Sequence, residues 1–164
     1  KFFSSSLTTL YEVAHNIGKI EEYDGKKLLV HRKGATRAFG AGSPAVPDAY
    51  RTFGQPVIIP GSMGTSSFVL LGTKKAESES FGSTCHGAGR VMSRGEAKRT
   101  ISAQQLEQEL KNKEVLAFCD SPRGLLEEAP AAYKDVEEVV NVVNRAGLSL
   151  KVCKLKPLGV IKGG

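Results

Sequence analysis

Residues 19–32 read KIEEYDGKKLLVHR, two short strand-like runs on either side of Asp24-Gly25. An Asp-Gly pair between such runs is typical of a tight two-residue turn, because both residues tolerate a positive φ angle. The pattern therefore predicts an antiparallel β-hairpin. Two further runs, PVIIP at 56–60 and SFVLL at 67–71, are apolar and contain strand-forming residues, which predicts buried strands.

Apolar residues at helical spacing predict three helices, at 7–17, 94–112 and 133–146, with Thr100 or Ser102 as a capping residue inside the second. Short strands are expected at 115–118, 148–152 and 158–160, and irregular backbone at 34–55. The hairpin and the uneven alternation of helices and strands favour an α+β fold, with mixed or antiparallel sheets flanked by helices, over a doubly wound parallel sheet.

The composition limits the class of protein. The chain has 164 residues, 23 Lys and Arg against 17 Asp and Glu, and a formal net charge of +6, which mildly favours polyanionic partners. Its three cysteines have no CxxC spacing, which argues against a zinc knuckle or a disulfide framework and favours a reducing, cytoplasmic setting. No apolar run approaches the roughly 20 residues of a membrane-spanning helix, so we expect no membrane partner.

Residues 81–94, FGSTCHGAGRVMSR, form the most chemically specific pattern in the chain. His86 lies between small residues, so the backbone can approach a ligand closely, and successive N–H groups in such a loop can bind an anion. Arg90 and Arg94 follow with guanidinium groups that suit phosphate oxygens. An imidazole beside a bound phosphate can act as a nucleophile toward phosphorus. The alternative from these residues alone is a turn with a surface histidine.

A second small-residue loop, GSMGTS at 61–66, would complete a ligand site if it approaches the first loop. Neither loop fits the GxxxxGK[ST] pattern of P-loop nucleoside triphosphatases, because no Lys-Ser or Lys-Thr follows the glycines. Neither is a GxGxxG that opens a helix after a strand, which argues against a dinucleotide-binding unit. The two loops therefore predict a phosphate site of another kind.

Six segments resemble, in order and at the expected spacing, the C-terminal part of the RNA-splicing ligase RtcB family. They are VAHNIGKIE (13–21), VHRKGATRAF (30–39), PGSMGTSSFVL (60–70), FGSTCHGAGRVMSR (81–94), EEAPAAYKDV (127–136) and KPLGVIKG (156–163). The resemblance implies an RtcB-like fold and a GTP- and manganese-dependent RNA ligase. Such an enzyme joins RNA 3′-phosphate or 2′,3′-cyclic phosphate ends to 5′-hydroxyl ends, in tRNA splicing or RNA repair, through a histidine-guanylate intermediate. It also implies an archease-type activator as a partner.

The same resemblance implies roles for individual residues. His86 is the expected nucleophile, and His15 is an expected manganese ligand; from sequence alone, His15 can equally be a polar residue at the end of an amphipathic helix. The residues expected at the GTP site are Asn16, Pro60, Gly61, Ser62, Met63, Ser67, His86, Gly87, Ala88, Gly89, Tyr133 and Lys162. Tyr133 would border the guanine, although a core aromatic at the start of a helix is an equally good interpretation of that residue.

The segment VHRKGATR at 30–37 is basic and contains glycine, which suits RNA phosphates. We expect phosphate contacts from this segment rather than metal binding by His31, with a plain solvated basic loop as the alternative. The residues expected to contact the RNA backbone are Arg32, Lys33, Arg37, Arg90 and Arg94.

A whole ligase of this family takes further metal ligands from sequence upstream of the VAHN segment, and none of the three histidines of this chain precedes His15. Residues 1–164 are therefore expected to be the C-terminal portion of a single RtcB-like ligase domain, without the N-terminal part that carries those ligands. Two alternatives remain open. One is an inactive fragment that retains only RNA or nucleotide binding, and the other is a histidine-guanylylated relative that acts on DNA ends or damaged RNA.

Overall fold

A computed structural model describes residues 8–119 and 121–162. Its strands are β1 (Asn16–Tyr23), β2 (Lys26–Lys33), β3 (Ala35–Arg37), β4 (Pro56–Ile59), β5 (Ser67–Gly72), β6 (Ser83–Cys85), β7 (Leu116–Cys119), β8 (Ser149–Leu155) and β9 (Gly159–Lys162). Its helices are α1 (Lys74–Ser80), α2 (Arg94–Thr100), α3 (Ala103–Asn112), α4 (Pro122–Glu127) and α5 (Val136–Arg145). Short 3-10 turns lie at Asp48–Tyr50 and Pro130–Ala132. The fold is α+β, as the sequence predicts.

The predicted hairpin is confirmed, because β1 and β2 pair antiparallel over their whole length. Asp24 and Gly25 form its turn with φ angles of 51° and 74°, the left-handed region that Gly favours and Asp tolerates. β3 and β6 form a second antiparallel ribbon, and β7 pairs with β9 in parallel. A three-stranded antiparallel sheet has the order β4-β5-β8. The strands predicted at 56–60, 67–71, 115–118, 148–152 and 158–160 are confirmed as β4, β5, β7, β8 and β9, with ends displaced by at most three residues.

The core lies in two clusters. The first packs α5 against the β4-β5-β8 sheet and includes Ile59 and Val140. The second is built from α3, α4 and the adjoining loops, and includes Met63 and Leu110. The 61–66 loop joins the two clusters, because it leaves β4 at the first and inserts Met63 into the second. This double anchoring sets the course of the loop before any ligand is bound.

The predicted helix at 7–17 is wrong. Residue 7 lies outside the described residues, and from residue 8 the backbone is irregular until β1 begins. The Tyr11 ring packs edge-on against the Tyr50 ring with centroids 5.1 Å apart. The Ala14 carbonyl accepts a hydrogen bond from the Thr36 hydroxyl at 3.1 Å. These contacts with the 36–50 region hold the segment in an irregular conformation, and they override the helical spacing of its apolar residues.

The predicted helix at 94–112 is two helices, α2 and α3, because Ile101 is extended and interrupts it. The Ser102 hydroxyl accepts a hydrogen bond from the Gln105 N–H, so Ser102 is the N-cap of α3. The helix predicted at 133–146 begins at Val136, with Asp135 as its cap, which leaves Tyr133 outside the helix. The interval predicted as irregular contains β3 and a 3-10 turn, and no sequence prediction anticipated α1.

Candidate active site

His86 lies where the β3–β6 ribbon ends. Cys85 is the last residue of β6; it pairs with Ala35 and packs against the first core cluster. Burial raises the pKa of the Cys85 thiol, which disfavours the reactive thiolate, so Cys85 acts as a packed side chain. Gly34 has a φ of +76°, and a Cβ built on it would lie 3.9 Å from His86 Nε2. A glycine at this position keeps the neighbouring side of the imidazole accessible.

The rings of His15 and His86 are stacked, with centroids 4.7 Å apart and planes inclined by 14°. His15 directly precedes β1, so the hairpin brings it to the end of the ribbon that carries His86. Burial lowers the pKa of His86, and positive charge on His15 lowers it further. A neutral imidazole keeps a lone pair on one ring nitrogen, which is what a nucleophile toward phosphorus requires.

A cavity of about 680 Å³ opens beside His86. Small-molecule sites commonly enclose roughly 300–1,000 Å³. The lining comes from both small-residue loops, from the segment before α5 and from the last strand. It consists of Pro60, Gly61, Ser62, Met63, Thr65, Ser67, His86, Gly87, Ala88, Gly89, Arg90, Glu128, Tyr133, Lys134, Val136, Pro157, Gly159, Val160 and Lys162. The structure therefore brings together the residues expected at the GTP site, with the exception of Asn16.

Hydroxyl side chains hold the 61–66 loop in shape at the edge of this cavity. The Ser62 N–H donates to the Thr65 hydroxyl at 2.7 Å, and the Gly61 N–H donates to the Ser67 hydroxyl at 3.1 Å. A Cβ at Gly61 would overlap the Ser66 carbonyl oxygen, so only glycine fits there. A ligand would thus meet a loop that is already formed.

A second part of the lining, which we call the Tyr133 wall, consists of Arg90, Glu128, Tyr133 and Lys162. The Arg90 guanidinium lies 4.7 Å from the Tyr133 ring centroid, and its Nη1 donates to the Tyr133 hydroxyl at 2.8 Å. The Tyr133 hydroxyl donates to the Glu128 carboxylate, and Lys162 Nζ is 3.9 Å from that carboxylate. Burial raises the pKa of Tyr133, and the Glu128 contact raises it further, so its hydroxyl remains a donor. Sequence reasoning missed Glu128, because no spacing rule marks it.

Arg32 and Arg37 are paired with one carboxylate inside the fold. The Arg32 side chain is 2% exposed and donates to both oxygens of Glu21, at 3.0 and 2.7 Å. Arg37 donates to Glu21 Oε1 at 2.9 Å, and its side chain is 17% exposed. We call this group, together with Tyr23 and Ser83, the Glu21 cluster. The burial argues against the predicted RNA contact by Arg32, because a guanidinium enclosed by the fold and bound to a carboxylate cannot meet a phosphate in solvent.

The other basic residues of the prediction are placed differently. Lys33 is exposed at the end of β2, and the Arg94 side chain at the start of α2 is 69% exposed, with Nε 3.4 Å from Glu127. His31 Nε2 lies 3.2 Å from Asn16 Oδ1, so Asn16 meets the hairpin's own histidine and does not line the cavity. Lys33 and Arg94 are therefore the exposed candidates for RNA contact, whereas the guanidinium groups of Arg37 and Arg90 are bound to Glu21 and to Tyr133.

His15 offers one nitrogen ligand next to His86, but the described residues supply no complete metal site. Across 8–119 and 121–162, no three His, Cys, Asp or Glu side chains are grouped so that they can hold a metal ion. In the same part of the chain, no helix has the length and apolar character to cross a membrane.

Comparison of the sequence with known proteins identifies its family. The family model for tRNA-splicing ligase RtcB matches residues 1–163. The chain is 58% identical over 158 residues to the tRNA-splicing ligase RtcB of Archaeoglobus fulgidus, covering 94% of the chain and 33% of that protein. It is 55% identical over 161 residues to that of Pyrococcus abyssi, covering 96% of the chain and 18% of that protein. The chain thus spans a third or less of the length of these curated relatives.

Proposed function

The chain belongs to the tRNA-splicing ligase RtcB family, and from that membership we propose that it is the nucleophile-bearing part of an RNA ligase. The proposed reaction joins RNA 3′-phosphate or 2′,3′-cyclic phosphate ends to 5′-hydroxyl ends, in tRNA splicing or RNA repair. GTP and manganese are the proposed co-substrate and metal, and His86 is the residue that carries the guanylate.

The observation that supports this proposal most strongly is the setting of His86. Its ring is stacked on His15, it borders the cavity, and burial lowers its pKa. The two small-residue loops meet at the same cavity, although 15 or more residues separate them in the chain. A neutral imidazole beside a polar, glycine-lined cavity is the arrangement that phosphoramidate formation needs.

The proposed reaction has three steps. A ring nitrogen of His86 attacks the α-phosphorus of GTP; an N–P bond forms, the α–β phosphate bond breaks and pyrophosphate leaves. An oxygen of the RNA 3′-phosphate then takes the guanylyl group from His86, which restores the free imidazole. The 5′-hydroxyl attacks the RNA phosphorus, loses its proton and displaces GMP. A 2′,3′-cyclic end must first add one water to become a 3′-phosphate.

The cavity lining supports nucleotide binding. A Cβ built on Gly87 or Gly89 would meet no described atom within 4 Å, so phosphates have room to approach the backbone there. Arg90, Lys134 and Lys162 bring positive charge to the same cavity. We propose that Tyr133, held by Arg90 and Glu128, borders the guanine.

Manganese would be held in part by His15. One imidazole nitrogen falls short of the oxygen-rich ligand set that Mn²⁺ prefers, and the described residues group no further ligands with it. We therefore propose that the other ligands come from the part of the ligase that this chain does not span. When bound, such an ion neutralises charge on the transferring phosphoryl group. His15 would contribute by holding the ion close to His86, because the two rings are stacked.

Transfer of label from α-labelled GTP tests the proposal. The chain is fused to the part of the Archaeoglobus fulgidus relative that it does not match, and incubated with manganese. We expect an acid-labile label on the protein that is lost in His86→Ala and kept in His31→Ala, a matched control because His31 lies exposed on the hairpin. Label that survives in His86→Ala, or no label on the fused protein, would contradict the proposal.

The incomplete metal site favours a second candidate, a fragment that binds nucleotide or RNA without chemistry. The same assay on the unfused chain separates the two. Label on the unfused chain would show that its own residues suffice for guanylylation. Binding of GTP or RNA without label, on both the unfused and the fused protein, would favour the binding fragment.

A further inference from the structure

We propose that Glu21 is a positioning residue that holds the His15 and His86 rings in their stacked arrangement. The importance of that arrangement for guanylylation rests on the function proposed above. Glu21 contacts neither histidine; it acts through the elements that carry them, the β1–β2 hairpin for His15 and the β3–β6 ribbon for His86.

The Glu21 carboxylate is surrounded by donors. Its side chain is 7% exposed, and it accepts two hydrogen bonds from Arg32 and one from Arg37. The Tyr23 hydroxyl lies 2.9 Å from Glu21 Oε2 and 2.8 Å from the Phe81 carbonyl. Burial alone would raise the pKa of Glu21, but the hydrogen bonds from Arg32 and Tyr23 and the charges of both arginines lower it. Glu21 is therefore a fixed anion at neutral pH.

Arg32 also connects the Glu21 cluster to β6, the strand that directly precedes His86. Its Nε donates to the Ser83 hydroxyl at 2.8 Å, and its Nη2 donates to the Phe81 carbonyl at 2.6 Å. Ser83 opens β6, three residues before His86, and pairs with Arg37 in the β3–β6 ribbon. One carboxylate on β1 thus ties together residues of β2, β3 and β6.

Two attachments control how the hairpin sits on the ribbon. One is the hydrogen bond from the Thr36 hydroxyl to the Ala14 carbonyl, next to His15. The other is the Glu21 cluster, farther along β1. With Glu21 neutralised, Arg32 and Arg37 lose their shared counter-charge and repel each other. The contacts of Arg32 and Tyr23 with Ser83 and Phe81 remain, but the charged centre that aligns them is lost, so the hairpin can shift on the ribbon. A shift of about 1 Å between reacting groups can slow a reaction about 100-fold.

Histidine-selective NMR on this chain tests the inference without any activity. The chain has three histidines, so each ring is readily assigned, and the exposed His31 serves as an internal reference. In Glu21→Gln, we expect the ring shifts of His15 and His86 to move toward unstacked values while His31 and the far-ultraviolet circular dichroism stay unchanged. Glu22→Gln is the matched control, because Glu22 is adjacent and exposed. A folded Glu21→Gln with unchanged His15 and His86 shifts would overturn the inference.

If Glu21→Gln does not fold, Arg37→Gln decides, because it removes one partner and leaves the Arg32–Glu21 pair. Smaller shift changes in the same two rings support the inference, and unchanged shifts overturn it. In the fused ligase, we expect Glu21→Gln to lower the rate constant of label transfer about 100-fold while the KM for GTP stays within about twofold. A wild-type protein without label transfer would contradict the proposed function but would leave the NMR result fully interpretable.

Discussion

Two groups of arginines and glutamates in this molecule have the same chemistry and opposite surroundings. In the Glu21 cluster, Arg32 and Glu21 are 2% and 7% exposed and meet through two hydrogen bonds. In the group beside the cavity, which we call the Glu127–Glu128 cluster, Arg90, Arg94 and Lys98 face two partly exposed carboxylates. Removing one partner of a buried pair is strongly destabilising, whereas exposed pairs are solvated and exchange partners easily. The Glu21 cluster therefore serves the structure. In the second cluster Arg90 is held by Tyr133, but the more exposed Arg94 and Lys98 side chains are free to turn toward a phosphate.

The largest expected effect is loss of one buried partner. Arg32→Met leaves the Glu21 carboxylate without its two-fold donor, and should destabilise the fold by about 3–5 kcal/mol. Urea unfolding measures this, with Arg94→Met as the matched control because its side chain is exposed. Equal midpoint shifts in the two variants would remove the distinction between the clusters.

Low pH should reduce the stability that the Glu21 cluster contributes, and with it the difference between the two clusters. The folded-state pKa of Glu21 lies below its ordinary value of 4.5, so the stability that it contributes is present above pH 4.5 and is lost as the pH falls through the folded value. The stability difference between wild type and Glu21→Gln should therefore be largest at neutral pH and shrink below pH 4.5. Urea midpoints from pH 7 to pH 3 give the comparison; a difference that grows toward low pH would contradict the assignment.

A smaller effect is expected at the Tyr133 wall. Tyr133→Phe removes a hydroxyl that donates to Glu128 and accepts from Arg90, at a cost of about 1 kcal/mol. Thermal unfolding measures the loss, and Tyr50→Phe offers a comparison, because among the described residues the Tyr50 hydroxyl makes one hydrogen bond, to the Leu10 carbonyl, and none to a charged group. No change in Tyr133→Phe would show that this wall is as loosely held as the rest of the Glu127–Glu128 cluster.

The smallest effect concerns RNA. If Arg94 contacts one phosphate, Arg94→Gln should weaken binding of single-stranded RNA mildly and reduce the slope of log affinity against log salt by about 1. Arg37→Gln should leave that slope unchanged, because Arg37 is bound to Glu21. Titrations at several salt concentrations distinguish the variants. A slope change in Arg37→Gln would show that the 30–37 segment contacts RNA phosphates after all.

Local patterns predicted those parts of the fold whose causes are local. Asp24-Gly25 specifies a turn by its own φ preferences, and the apolar runs that became β4 and β5 can be satisfied only by burial. The helix predicted at 7–17 is wrong because apolar spacing carries no information about Tyr50 or Thr36, whose contacts hold that segment in an irregular conformation. The helix at 94–112 divided because Ser102 competes for backbone N–H groups as a cap.

The candidate site shows the same division. The two small-residue loops and His86 could be predicted from the sequence, because glycine-rich turns beside a histidine are a local signal. The family resemblance depends on the same residues. The stacking of His15 on His86 has no local signal, since the two residues lie far apart in the chain. Glu128 lies five positions before Tyr133, but its contacts with Arg90 and Lys162 join distant segments, and no spacing rule marks it. The structure alone shows that Glu128 completes the Tyr133 wall.

The sequence by itself determined the hairpin, the positions of the apolar strands, the small-residue loops around His86 and the resemblance to the family. Only the tertiary structure decided what each arginine does. Arg32 and Arg94 are the same side chain in similarly basic, glycine-containing segments. Glu21 on β1 binds Arg32, and packing against the β3–β6 ribbon buries the pair, whereas Arg94 stays in solvent at the start of a helix. The reason is physical: the role of a guanidinium depends on its solvation and on the nearest carboxylate, and both depend on how the elements pack.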